Sequence, residues 1–135
     1  MSRIYSVSIQ KKLFAKHFLP IEDEAEKKVH SHDYRLTVKI QGDELNENGF
    51  LIDIVRLENI VEGVIERYRD CVLNEIDKFK EKNPTLENFS RIFCEDLLSA
   101  MRTHEEQDID RIASIEIVLW ENEEAKASYR EEVRS

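Results

Sequence analysis

The chain is poor in the residues that punctuate or cross-link a fold. It has 3 glycines, 2 prolines and 2 cysteines in 135 residues. So few breakers leave long stretches free for regular structure. Cys71 and Cys94 make no disulfide or metal framework, which fits a reducing cytosol. Basic charge is also short: 20 Lys and Arg against 29 Asp and Glu give a net charge of −9. With no basic stripe, nonspecific nucleic-acid and membrane-surface binding are excluded, and an anionic ligand would need a local basic pocket. No apolar run approaches the roughly 20 residues that a membrane span needs. Met1-Ser2-Arg3-Ile4-Tyr5 lacks the apolar core of a signal peptide. Repeats, low-complexity tracts and linkers are missing too. With 41% hydrophobic and 36% charged residues, the expectation is one soluble cytoplasmic domain over 1–135.

What is there begins with alternation. In His30 to Ile40 the even positions are His30, His32, Tyr34, Leu36, Val38 and Ile40. The odd positions are Ser31, Asp33, Arg35, Thr37 and Lys39. Side chains two apart on a strand share a face, so His30 and His32 point with the apolar row. An earlier strand over about 3–17 repeats the pattern through Tyr5, Val7, Ile9, Leu13, Ala15 and His17, broken only by Lys11. If the two strands form an antiparallel hairpin, three imidazoles converge on one inward spot, the ligand set of an open catalytic zinc site. A lone histidine on an apolar face is more often a satisfied core residue. Burying three without partners costs unsatisfied polar groups, which a shared cation removes. Both readings stay open on the pattern alone. His104, beside Glu105 and Glu106, reads as a solvated helix-end residue.

Between the strands, 18–29 reads as a loop with the run Glu22-Asp23-Glu24-Ala25-Glu26-Lys27-Lys28. A turn rich in Asp, Asn and Gly runs from Gly42 to Gly49. Residues 53–70 read as an amphipathic helix on Ile54, Leu57, Val61, Val64, Ile65 and Tyr68. A second helix starts near Pro84-Thr85, with Thr85 as N-cap, Glu87 in the first turn, and the stripe Phe89, Phe93, Leu97, Ala100 and Met101. Further strands fall at about 112–121 and 125–133. The order ββααββ predicts an α+β fold, an antiparallel sheet with helices packed on it. Glu121 continues the face of Ile115, Ile117 and Leu119. A carboxylate on an interior row needs a partner; either the strand ends at Trp120 and Glu121 reaches water, or it accepts hydrogen bonds from adjacent N–H groups of a ligand.

Five short elements now fall in order. They are Ala15-Lys16-His17-Phe18-Leu19, His30-Ser31-His32-Asp33-Tyr34, Gly49-Phe50-Leu51-Ile52-Asp53, Asn83-Pro84-Thr85-Leu86-Glu87-Asn88, and Glu121 followed eight residues later by Tyr129. Together they resemble the 6-pyruvoyl-tetrahydropterin synthase family, which includes the bacterial 6-carboxy-tetrahydropterin synthases of queuosine biosynthesis. The resemblance implies a tunnelling fold (T-fold) with two helices on one face of the sheet. It implies zinc on His17, His30 and His32, a pterin anchored by Glu121 with Thr85 beside it, and 7,8-dihydroneopterin triphosphate or a close relative as substrate. It also implies a homohexamer with active sites between subunits.

The chain departs from the family at the residues that handle protons. The family cysteine four residues before the His-x-His pair is Glu26 here. The family Asp-His pair before Leu-Asn meets Tyr68-Arg69-Asp70-Cys71-Val72-Leu73-Asn74; an ungapped match sets Arg69 and Asp70 there, a one-residue deletion sets Asp70 and Cys71 there, and either way the histidine is missing. Ser31 stands where His-Gly-His has glycine. Zinc acidifies neighbouring protons, but a base must still take them; Glu26 and Asp70 are the candidates. Read blandly, Glu26 is a solvated loop residue, Asp70 a polar helix end and Cys71 a structural thiol. Glutamate at this position resembles a subgroup that cleaves the side chain to 6-hydroxymethyl-dihydropterin for folate synthesis. The expectation is a zinc-dependent lyase acting by proton abstraction and side-chain elimination or cleavage. The alternatives are that folate-branch enzyme, or a paralogue that binds zinc and a pterin without the family reaction.

Overall fold

The structure is a computed structural model and describes residues 3–104 and 107–133; Glu105 and Glu106, the expected neighbours of His104, lie outside the described residues. The elements are β1 (Tyr5–His17), α1 (Glu24–Lys27), β2 (His30–Gly42), α2 (Ile54–Ile65), α3 (Leu86–Thr103), β3 (Ser114–Trp120) and β4 (Lys126–Glu132). Short 3-10 turns occur at Leu73–Glu75, Asp77–Phe79 and Gln107–Arg111. The four strands form one antiparallel sheet in the order β1-β2-β3-β4. This is the α+β arrangement expected from the pattern.

Alternation sets which face is buried. Leu13 and Ala15 of β1, Tyr34, Leu36, Val38 and Ile40 of β2, and Ile115, Ile117 and Leu119 of β3 all enter the core. They meet Leu57, Val61, Val64 and Ile65 of α2 and Phe89, Phe93, Leu97 and Met101 of α3. Fully burying one such side chain is worth about 1.5–3 kcal/mol. A one-residue slip would turn a whole row to solvent, so the register is strongly fixed. Lys11, the polar break in β1, stays half-buried and its Nζ lies 3.3 Å from Glu58 Oε2. Thr85 caps α3 by accepting the Asn88 N–H at 3.1 Å.

Two local expectations change. The 18–29 loop contains the single turn α1, capped by Asp23, whose Oδ1 accepts the Ala25 N–H at 2.9 Å. The helix expected to reach 70 ends at Ile65. Beyond it the hydrogen bonds tighten to Arg67 N–H on Val64 O and Tyr68 N–H on Ile65 O. Asp70 then takes φ 61, and its N–H goes to Phe14 O at 2.8 Å. The backbone of 70–72 is thus engaged by β1 instead of continuing a helical ladder, including a parallel bridge between Lys16 and Val72. Ile54, expected on the buried stripe, is 45% exposed because it occupies the first helical position.

Candidate metal centre

The β1–β2 register brings the histidines together. His17 ends β1 and pairs directly with His30, the first residue of β2, while His32 sits opposite Ala15 on the same face. His17 Nε2 lies 2.9 Å from His30 Nε2 and 3.1 Å from His32 Nε2. The rings meet edge to face, with centroids 4.5, 4.8 and 5.0 Å apart. His17 is buried; His30 and His32 are half-buried. Among the described residues, these three offer donor atoms within 4.8 Å of one another, close enough to share an ion.

The other ring nitrogens fix the tautomers. His17 Nδ1 lies 2.9 Å from Pro84 O, and His30 Nδ1 lies 2.7 Å from Lys28 O. A carbonyl oxygen only accepts, so each Nδ1 carries the proton and each neutral ring presents a lone pair on Nε2. Two such lone pairs facing each other at 2.9 Å repel unless a proton or cation lies between them. Nitrogens bound about 2.0–2.1 Å from a tetrahedral zinc would be about 3.3 Å apart. The cluster is near that spacing, so the donor set fits such an ion. Burial holds His17 and His32 below the ordinary histidine value of 6.5, the direction that keeps them in the neutral, ligating form. Tyr34 Oη is 3.3 Å from His17 Nδ1, and burial, then the charges of Glu121 and Glu26, push its hydroxyl well above the usual tyrosine range.

Two carboxylates border the cluster. Glu26, on α1, places Oε2 3.5 Å from His30 Nε2. Its carbonyl accepts the Leu19 N–H at 2.7 Å, which ties α1 to the end of β1. Glu121 follows β3 by one residue, and its N–H bonds Ala125 O at 3.0 Å. Its Oε1 lies 3.4 Å from His32 Nε2 with the side chain 26% exposed, so it both meets a partner and reaches solvent. Asp70 is exposed, and among the described residues no hydrogen bond or ion pair joins its carboxylate to the histidines of the same chain. Thr85 adjoins the site through its neighbour Pro84, whose carbonyl holds His17, while its own Oγ1 serves the helix cap. Tyr129 bonds Glu131 Oε1 at 2.7 Å, which pushes its hydroxyl up to about 12.

The carbonyls of Pro84 and Lys28 were not legible as site groups. Backbone acceptors leave no mark in side-chain chemistry; the available signal is that Pro84 precedes an N-cap, so its carbonyl is outside the helical ladder.

Comparison with known proteins identifies the family and the fold. Residues 6–132 match the family model of 6-pyruvoyl tetrahydropterin synthase. The chain is 30% identical over 108 residues to the 6-carboxy-5,6,7,8-tetrahydropterin synthase of Bacillus subtilis, covering 75% of this chain and 72% of the relative. It superposes on the 6-pyruvoyl tetrahydropterin synthase of Plasmodium vivax with a TM-score of 0.78 at 14% identity, covering 97% of this chain and 99% of the other. A variant of that protein with a catalytic glutamate changed to alanine superposes equally, with TM-score 0.78, 13% identity, and 97% and 99% coverage. The sheet with its helices is therefore the T-fold, and the chain belongs to the 6-pyruvoyl tetrahydropterin synthase family.

Proposed function

We propose that the chain is a zinc-dependent pterin lyase acting on 7,8-dihydroneopterin triphosphate or a close relative. The observation that carries this reading is the convergence of three Nε2 atoms, two of them held as neutral ligands by Nδ1 contacts to carbonyls. His17, His30 and His32 would hold the ion. When bound, zinc would polarise a side-chain oxygen of the substrate and acidify the protons beside it. Glu121 accepts from adjacent N–H groups of the pterin and so orients the ring, with Thr85 nearby. Glu26 takes the proton, since its carboxylate stands 3.5 Å from His30 Nε2. The Plasmodium vivax synthase also uses a glutamate as a catalytic residue, which supports that role. Asp70 is the second proton-handling group. Its exposure fits a site between subunits, in which it serves the cluster of a neighbouring copy within a cytoplasmic homohexamer. No helix among the described residues is long and apolar enough to cross a membrane.

Glutamate in place of the family cysteine favours a second reading, side-chain cleavage to 6-hydroxymethyl-dihydropterin in folate synthesis. The related 6-carboxy-tetrahydropterin synthases favour the queuosine branch instead. Incubation of the zinc-loaded protein with dihydroneopterin triphosphate, with the product identified by mass spectrometry, separates them. An unchanged substrate that nevertheless binds would leave a pterin-binding paralogue and reject the enzyme.

A further inference from the structure

The strand end that carries His17 is held from a side that the β-sheet does not supply. β1 is an edge strand, and its pairing with β2 stops at His17 and His30. Phe18, the next residue, therefore has no strand partner for its backbone. Both of its backbone groups go to one side chain: Asn74 Oδ1 accepts the Phe18 N–H at 2.9 Å, and Asn74 Nδ2 donates to Phe18 O at 2.8 Å. The same segment makes two further rungs, Asp70 N–H to Phe14 O at 2.8 Å and Lys16 N–H to Cys71 O at 2.9 Å. Residues 70–74 thus flank 14–18 as a substitute strand, and the primary amide of Asn74 closes its last rung.

We infer that Asn74 is the positioning residue of the metal centre, fixing the backbone on which the His17 imidazole is mounted; this rests on the reading of His17, His30 and His32 as metal ligands. The physical reason is the placement of the clasp. Strand ends fray where backbone groups lack partners, and His17 is the last paired residue. A ring that must meet two others within 2.9–3.1 Å tolerates little movement of its Cα. The Pro84 carbonyl fixes the rotation of the ring, while Asn74 fixes the chain beneath it. Only a primary amide supplies both an acceptor and a donor in this geometry. Aspartate keeps the acceptor for Phe18 N–H and sets an anionic oxygen against Phe18 O.

The test compares Asn74→Ala and Asn74→Asp with Val61→Ala, a core truncation in α2 away from the cluster. Zinc affinity is measured by competition with a chromophoric chelator. The geometry of the site is read from the visible spectrum of the cobalt(II)-loaded protein. Loss of an outer partner of a metal ligand typically weakens metal affinity about 10- to 100-fold. Asn74 bonds the residue after the ligand and not its ring, so both Asn74 variants should lose about 10-fold, the low end of that range, with an altered cobalt spectrum. Val61→Ala should melt earlier yet bind zinc as the parent does. Parental affinity and spectrum in Asn74→Ala, or equal weakening in Val61→Ala, would overturn the assignment. A third readout needs no metal: in the chelator-treated chain, Asn74→Ala should shift or broaden the ring resonances of His17 and speed amide exchange at Phe18. If the parent bound neither ion, the metal reading would fail; unchanged His17 resonances in Asn74→Ala would separately reject the positioning role.

Discussion

At the scale of single residues, the proposed zinc site requires neutral imidazoles and a carboxylate within reach. Burial lowers the proton affinity of His17 and His32 in the folded chain. In the unfolded chain both return to the ordinary value of 6.5 and take up protons below it. The unfolded state then binds more protons, so stability is fully present above that value and is lost as pH falls toward the lowered folded values. Urea midpoints of the chelator-treated protein should therefore drop as the pH is lowered through 6.5 and below. His32→Phe, which cannot take a proton, should flatten the drop; an equally steep fall in that variant would remove His32 from the explanation. For Glu26, the expected outcome of Glu26→Gln is intact zinc and pterin binding with turnover reduced about 100- to 10,000-fold, the usual contribution of a general base. Turnover at the parental rate would return Glu26 to an ordinary loop role and direct attention to Asp70.

At the scale of elements, the two ends of β2 do different work: one carries histidines of the cluster, the other a close packing contact of the fold. β2 ends at Gly42, where a Cβ would stand 2.5 Å from Arg111 O and 2.7 Å from Leu51 Cδ1. The glycine is needed for this close approach, which seats the turn Gln107–Arg111 and the 49–53 segment over the end of the sheet opposite the histidines. One of its neighbours is backbone, so Gly42→Ala must displace the turn. Destabilisation of about 1–3 kcal/mol is expected, as for overpacked sites, measurable by urea denaturation. Because Gly42 and the histidines occupy opposite ends of β2, zinc affinity should be unchanged while stability falls. A second buried device ties α3 to the segment after α2. Asp96, 2% exposed, accepts from the Tyr68 hydroxyl and pairs with Lys78. It anchors the chain on either side of residues 70–74, the strip that flanks β1.

At the scale of the whole molecule, the sheet leaves β1 and β4 as edges whose backbone groups are only partly used. Exposed Ile4, Phe50 and Val55, at 68%, 54% and 67%, add apolar surface outside the core. Open edges invite pairing with another chain, and closure into the proposed ring of six subunits would pair them. Static light scattering should give a mass near six times 16.0 kDa. A particle of the monomer mass at micromolar concentration would contradict both the assembly and a shared site.

The faces of the strands, the placing of His30 and His32 on the apolar row, the Thr85 cap and the stripe of α3 follow from the residue pattern alone. These depend on residues two to four positions apart, where the strand and helix periods act directly. His17 was legible as a third member only through the hairpin, because its partner choice rests on register. Long-range packing did the rest. It set the Nε2 distances, gave His17 a carbonyl 67 positions away and Phe18 an amide 56 positions away, and ended α2 at Ile65 so that 70–74 could lie along β1. It also put Glu26 and Glu121 on two sides of one cluster, although one sits on a helical turn and the other just past a strand. Such contacts carry no local signature, because they arise where packing brings distant backbone and polar groups together.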